Sequence, residues 1–113
     1  MPFINVKTNA SVSKEQADRI KSALGKAITA IPGKSEGWLM VGIEPDSMLW
    51  FKGSDQPAAM TQVSLFGSAS SNAMNTLTSN ITGILSDSLG IPSDRIYVSY
   101  QTTPTWGWTG ANF

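Results

Sequence analysis

Polar and apolar positions alternate over residues 3–8, with Ile4, Val6 and Thr8 on one side and Phe3, Asn5 and Lys7 on the other. A period of two predicts a β-strand. The period then lengthens. Ala17, Ile20, Leu24, Ala27, Ile28 and Ile31 recur at helical spacing. They follow Ser13-Lys14-Glu15-Gln16, which reads as a capping box, with Ser at the cap and Gln three residues later. Pro32-Gly33 stops that helix. Residues 38–43 form a short apolar run ended by Pro45-Asp46, which predicts a buried strand. Residues 48–51 predict a short edge strand before the turn Lys52-Gly53-Ser54-Asp55.

The pattern recurs in the second half. Residues 58–66 read as a strand. Met74, Leu77, Ile81, Ile84, Leu85 and Leu89 form a second helical stripe, closed by Gly90 and then Pro92. Ile96, Val98 and Tyr100 alternate with Tyr97, Ser99 and Gln101 in a further strand. The chain therefore reads strand–helix–strand twice, and both helices end alike, at Ile31-Pro32 and Ile91-Pro92. A doubled βαβ unit predicts an α+β fold of two layers: one mixed sheet with both helices on one face. The other face lies bare, and an apolar bare face favours oligomerisation. The tail, residues 103–113, shows neither period, and its Trp106 and Trp108 are too large to stay exposed without cost. They are expected to dock on this chain or on a neighbour.

Composition narrows the chemistry. A chain of 113 residues suits one domain over 1–113. Only 14% of residues are charged, against about 25% in ordinary soluble domains. Lys+Arg and Asp+Glu are 8 each, so the formal net charge is zero, and there is no basic patch suited to nucleic acid. The mixed charges from Lys14 to Lys26 read as a solvated helix face. No apolar run approaches the ~20 residues of a spanning helix, and the start, MPFINVKTNA, lacks the build of a secretory signal. The expectation is no membrane association and a cytoplasmic location. Asn9-Ala10-Ser11 and Asn80-Ile81-Thr82 match the glycosylation sequon by chance on that reading.

The chain has no Cys and no His. That removes thiol nucleophiles, disulfides and Cys/His zinc sites. It also removes the usual general base at neutral pH. An enzyme with this composition must work through a carboxylate, Lys, Tyr, Ser or a chain terminus.

Several segments, taken in order, resemble the macrophage migration inhibitory factor family. They are the Met1-Pro2 start with a strand ending Thr8-Asn9, Gly33-Lys34 after the first helix, and Gly53-Ser54-Asp55-Gln56-Pro57. Asp94-Arg95-Ile96-Tyr97-Val98 and the closing Gly107-Trp108-Thr109-Gly110-Ala111-Asn112-Phe113 complete the set. The resemblance spans essentially the whole chain, and order and spacing carry it rather than any one motif. It implies a four-stranded sheet per subunit and a homotrimer around a central channel. Short strands near 48–51 and in the tail would join neighbouring subunits. It also implies cofactor-free keto-enol tautomerase activity on phenylpyruvate-like and dopachrome-like substrates, at a site between subunits. The alternative it carries is a cytokine-like ligand, secreted without a signal peptide, that binds a cell-surface receptor and keeps weak or vestigial activity. A trimer with no activity is a blander reading still, against which Pro2 and Lys34 stand.

By this resemblance Pro2 and Lys34 are the catalytic pair. A second-position proline is also an ordinary chain start that favours Met removal. Once Met1 is gone, Pro2 carries a secondary amine, whereas with Met1 retained its nitrogen is an amide and cannot act as a base. A free α-amino group titrates near ~8, and apolar burial beside a cation lowers that. Lys34 also suits a helix C-terminus; in the site it would bind a substrate carboxylate and stabilise an enolate oxygen. Tyr97 matches a tyrosine supplied by a neighbouring subunit, although a tyrosine in an alternating strand is commonly core. Phe3, Trp38, Trp106, Trp108 and Phe113 would complete an aromatic cup.

The departures from the family pattern add bulk. Ala58-Ala59-Met60-Thr61 replaces a Cys-x-x-Cys, so the oxidoreductase activity linked to that motif is excluded. Ser99 stands for the site asparagine, Trp38 for a tyrosine, and Trp106 for a small aliphatic residue. Phe66, preceded by Leu65, stands for an isoleucine. The mouth is expected to be narrower or reshaped, with altered use of aryl substrates.

Overall fold

Strand β1 (Pro2–Thr8) buries Ile4, Val6 and Thr8 on one face, as its alternation predicts. The chain is seen here in a computed structural model that describes residues 1–113. Helix α1 (Lys14–Ala27) opens on the expected capping box: the Ser13 hydroxyl accepts from the Gln16 amide and the Gln16 side chain accepts from the Ser13 amide. These bonds satisfy two of the amide donors that a helix start leaves free. The helix then tightens into a 3-10 turn, Ile28–Ala30, which delivers Ile31 to the core. A second short turn, Glu36–Trp38, leads into β2 (Met40–Glu44).

Strand β3 (Ala59–Phe66) leads to α2 (Ser71–Leu89), capped by the Ser70 hydroxyl and ended by Gly90 at φ 70°. That left-handed conformation suits glycine, which has no Cβ to clash. Strand β4 (Ile96–Thr103) follows, then two-residue strands β5 (Gly107–Trp108) and β6 (Ala111–Asn112). The main sheet runs β2-β1-β3-β4. β1 pairs parallel to β2 and β3 parallel to β4, while β1 and β3 are antiparallel. The result is a four-stranded mixed sheet built from two βαβ units, with both helices against one face. Ile20, Leu24 and Ile28 meet Leu77, Ile81 and Leu85 over Ile4, Val6, Val63 and Leu65.

Three expectations change. Residues 38–43 do not form a buried strand: Trp38 belongs to the preceding turn and is exposed, and Met40 on β2 is exposed as well. β2 is a sheet edge with helix cover on one side only, so its apolar run is half satisfied within one chain. Residues 48–51 form no edge strand, because no strand of the same chain lies alongside. They end in a single Phe51–Ser54 bridge over a tight turn, with Lys52 at φ 52° and Gly53 at φ 75°. The tail pairs as a hairpin, Gly107 with Asn112 and Trp108 with Ala111, around Thr109 and Gly110 at φ 48° and 86°. Both turns use the doubly left-handed geometry that suits two-residue hairpins.

Thr61 lies fully buried on the helix-facing side of β3, and its hydroxyl has no hydrogen-bond partner. An unpaired buried hydroxyl costs about 1–3 kcal/mol. Thr61→Val keeps the shape and removes the hydroxyl, so it should stabilise the protein by about 1 kcal/mol. The readout is a higher urea midpoint at unchanged slope and fixed protein concentration. A lower midpoint would mean that the hydroxyl is paired after all.

Candidate active site

The amino-terminal end of β1 lies in the middle of the sheet. Pro2 is buried and stands opposite Leu65 of β3. At a strand's first residue a proline forfeits no interior ladder bond. The Met1 carbonyl accepts from the Phe66 amide at 3.2 Å. The Phe66 carbonyl is taken by Lys34, whose Nζ donates to it at 2.8 Å. Lys34 reaches this place because Gly33 turns the chain at φ 81° and the Lys34 amide closes on Ile31 O at 3.1 Å. Its ammonium also lies 6.0 Å from the centre of the Phe66 ring, within cation–π range.

These neighbours act on the terminal amine. The Met1 amino group titrates below the usual α-amino range, first because burial disfavours its charged form. The Lys34 charge and a hydrogen bond with Lys34 lower it further. An amine at this end of β1 thus loses its proton more readily than in water. In the full chain that amine belongs to Met1, one residue before Pro2.

A string of rings runs away from Lys34. Phe66 meets Phe113 edge to face at 5.6 Å, Phe113 lies 6.5 Å from Trp108, and Trp108 meets Trp38 at 5.1 Å with planes at 86°. Edge-to-face pairs at these separations are the favoured aromatic geometry. The tail hairpin holds the string in place: the amides of Trp106 and Phe113 donate to each other's carbonyls at 3.5 and 3.0 Å. Trp38, Trp108 and Phe113 nevertheless remain about half exposed, at 53%, 51% and 50%. That apolar surface is open to a ligand or a neighbouring chain.

The structure therefore brings together Pro2, Lys34, Phe66, Trp38, Trp108 and Phe113, with Trp106 as the backbone bracket. Leu65 departs from its expected place on the site wall. It is 1% exposed and packs in the helix-facing core, because strand alternation turns it inward opposite Pro2. Phe3 lies on the outer face of the sheet, between Met40 and Ser64, outside the string.

Tyr97 and Ser99 are not brought to Pro2 within one chain. Tyr97 pairs with Met60, five positions along β3 from Leu65, or roughly 16 Å at about 3.3 Å per residue. It is 60% exposed and meets Phe51 edge to face at 4.9 Å. An apolar cleft of about 110 Å³ lies there, lined in part by Trp50, Phe51, Met60, Arg95 and Tyr97. Ser99 pairs with Gln62 and accepts from the Gln101 side chain. No local pattern announces that Phe51 adjoins Tyr97, since the contact joins segments more than forty residues apart in sequence. No group of three or more His, Cys, Asp or Glu side chains is placed to hold a metal ion. No helix is long and apolar enough to cross a membrane.

A family model described as macrophage migration inhibitory factor matches residues 1–113. Among curated relatives, macrophage migration inhibitory factor of Meriones unguiculatus is 30% identical over 115 aligned positions, covering 100% of this chain and 99% of its own. The Mus musculus protein is 29% identical, with coverage of 100% and 99%. The crystal structure of MIF2 from Leishmania major superposes with a TM-score of 0.94 at 30% identity, over 100% of this chain and 97% of that one.

Burial and Lys34 make separate contributions to the terminal amine. In the chain that keeps Met1, Lys34→Met should therefore move the amino-terminal pKa part of the way back to its usual range, as read by NMR titration. An unchanged pKa would contradict the contact. The sign for stability follows. Between the lowered and the ordinary pKa the unfolded terminus binds more proton than the folded one, so this group's contribution to stability rises with pH across that window and is lost as pH falls.

Proposed function

We propose that the chain, which belongs to the macrophage migration inhibitory factor family, is a cofactor-free keto-enol tautomerase. It works as a single domain over residues 1–113 in a homotrimer around a central channel. The observation that carries this reading is the placement of Lys34 at the head of β1: its Nζ bonds the Phe66 carbonyl while the Phe66 amide holds the Met1 carbonyl, beside a terminal amine whose pKa is lowered by burial and by Lys34. With no His or Cys in the chain, a neutral amine at the end of a buried strand is the base best suited to neutral pH.

In the proposed reaction Met1 has been removed and Pro2 carries a free secondary amine. A 2-keto acid binds with its carboxylate and carbonyl oxygen toward the Lys34 ammonium and its aryl group against Phe66, Trp108 and Phe113. The neutral Pro2 nitrogen takes a proton from the carbon next to the ketone. The C–H electron pair becomes the new C=C bond, and the carbonyl pair moves to oxygen, where Lys34 stabilises the negative charge. The Pro2 ammonium then gives its proton to that oxygen, and the enol leaves. The reverse sequence ketonises an enol. The proline ring fixes the lone-pair direction, which helps alignment.

Phenylpyruvate-like and dopachrome-like compounds have the matching carboxylate and ring. Trp38, Trp106 and Phe66 reshape the mouth, so aryl acids of different width should be turned over unequally. Tyr97 joins the site from a neighbouring subunit, with Ser99 beside it too short for the amide contact it replaces. Self-association is supported by the bare outer sheet face, the free β2 edge and the exposed Met40, Met48 and Trp50. The half-exposed Trp38, Trp108 and Phe113 also favour a second reading, a cytokine-like ligand that meets a receptor through this patch with weak turnover.

Two changes at Pro2 separate these readings. Pro2→Gly keeps a base but loses the ring, and phenylpyruvate turnover should fall about tenfold or more with the trimer intact. An alanine inserted before Pro2 acylates the nitrogen and should remove the whole acid–base contribution, about 100-fold or more. Lys34→Ala should raise KM and lower kcat together, since it touches ground and transition states. For the Met1-free enzyme, kcat/KM should fall as pH drops through the pKa of the freed Pro2 amine, where the base is protonated. Turnover indifferent to both Pro2 changes would contradict the assignment, and receptor binding that survives them would favour the second reading.

A further inference from the structure

The segment that presents Phe51 to Tyr97 has almost no regular structure of its own. It is hung on two side chains. Asn9 donates to the carbonyls of Leu49, Asp55 and Gln56 at 3.4, 3.0 and 3.0 Å and accepts from the Ala58 amide at 2.9 Å. Arg95 takes the other side. Its Nε donates to Pro57 O at 2.9 Å, its Nη1 to Phe51 O at 3.1 Å, and its Nη2 to Ser54 O and Gln56 O at 3.0 Å each. Both ion pairs in the chain lie on α1, so the Arg95 charge is spent on four carbonyls and no carboxylate. Hydrogen bonds from a charged donor are about twice as strong as neutral ones, and only a planar fork reaches several acceptors at once.

The guanidinium also lies 5.3 Å from the centre of the Phe51 ring, and the Phe51 ring meets the exposed Tyr97 at 4.9 Å and 85°. Arg95, Phe51 and Tyr97 form one stack, with Arg95 and Tyr97 two residues apart at the start of β4. Nothing in that stack touches the Pro2 site of its own chain. We propose that Arg95 is a positioning residue for the neighbouring subunit's site: it fixes the 51–57 loop and the Phe51 ring, and through them the orientation of Tyr97. This inference rests on the tautomerase reading and on Tyr97 serving a neighbouring site. It assigns to Arg95 the task of holding that ring still before substrate arrives, so that binding does not have to order it.

The test is a double-mutant cycle in the Met1-free trimer with phenylpyruvate as substrate. Arg95→Met keeps the length of the stem and removes every donor, and Asn9 still tethers the loop. It should raise KM about fivefold with kcat within about twofold, the pattern of lost binding common to ground and transition states. In a Tyr97→Ala background the same change should have no further effect on KM, since residues that act through one another are not additive. Equal effects in both backgrounds, or an unchanged KM in the first, overturn the proposal. Should Arg95→Met fail to assemble by sedimentation, Phe51→Leu takes its place in the cycle, because it leaves all four Arg95 bonds and removes the ring contact. Pro2→Gly run alongside separates the two claims. Turnover that depends on Pro2 without Arg95–Tyr97 coupling overturns the positioning role alone, and turnover indifferent to Pro2 overturns both.

Discussion

The antiparallel register of β1 on β3 determines what can happen at the amino terminus. Burial of Ile4, Val6 and Thr8 beside Val63, Thr61 and Ala59 sets that register, and a slip of one residue would turn every one of these side chains to the outer face. With the register fixed, the Met1 carbonyl meets the Phe66 amide and the Phe66 carbonyl is left for Lys34. The cation beside the terminal amine is thus held by the same strand that holds the terminus. The amine pKa is lowered first by burial and then by that cation.

A sheet covered on one face shapes the rest. Both helices lie on one side, so the outer face, the β2 edge and the 48–51 segment have no cover within one chain. The rings near Lys34 are covered only in part in the same sense: Phe66 and Phe113 meet edge to face, while Trp38, Trp108 and Phe113 stay about half exposed. Tyr97 lies at the opposite end of the sheet with an exposed ring. One chain thus leaves two aromatic surfaces uncovered, one near Lys34 and one at Tyr97.

Local and periodic features of the fold were legible in the sequence. The strand at 3–8, both helical stripes, the Ser13–Gln16 box and the Gly90 stop each follow from spacing or from one residue's conformational preference. Features that depend on what lies alongside were not legible. The run at 38–43 reads as buried because sequence does not reveal that its strand is an edge. The tail strands are two residues long, too short to display a period of two. The resemblance offers both Leu65 and Phe66 for one site position, and alternation along β3 turns Leu65 into the core and leaves Phe66 to meet Phe113. The Arg95 contacts join segments about forty positions apart, and no local pattern announces them.

The central claim is that the Pro2 nitrogen, freed of Met1, is a neutral amine at neutral pH. An acetylenic 2-keto acid reports on this directly, because a neutral amine adds to its activated triple bond and an ammonium group cannot. Peptide mass mapping after brief treatment at pH 7 should locate a single adduct on Pro2, absent when an extra residue precedes Pro2 and lost on acidification. Labelling of Lys34 in preference to Pro2, or labelling only at alkaline pH, would contradict the account.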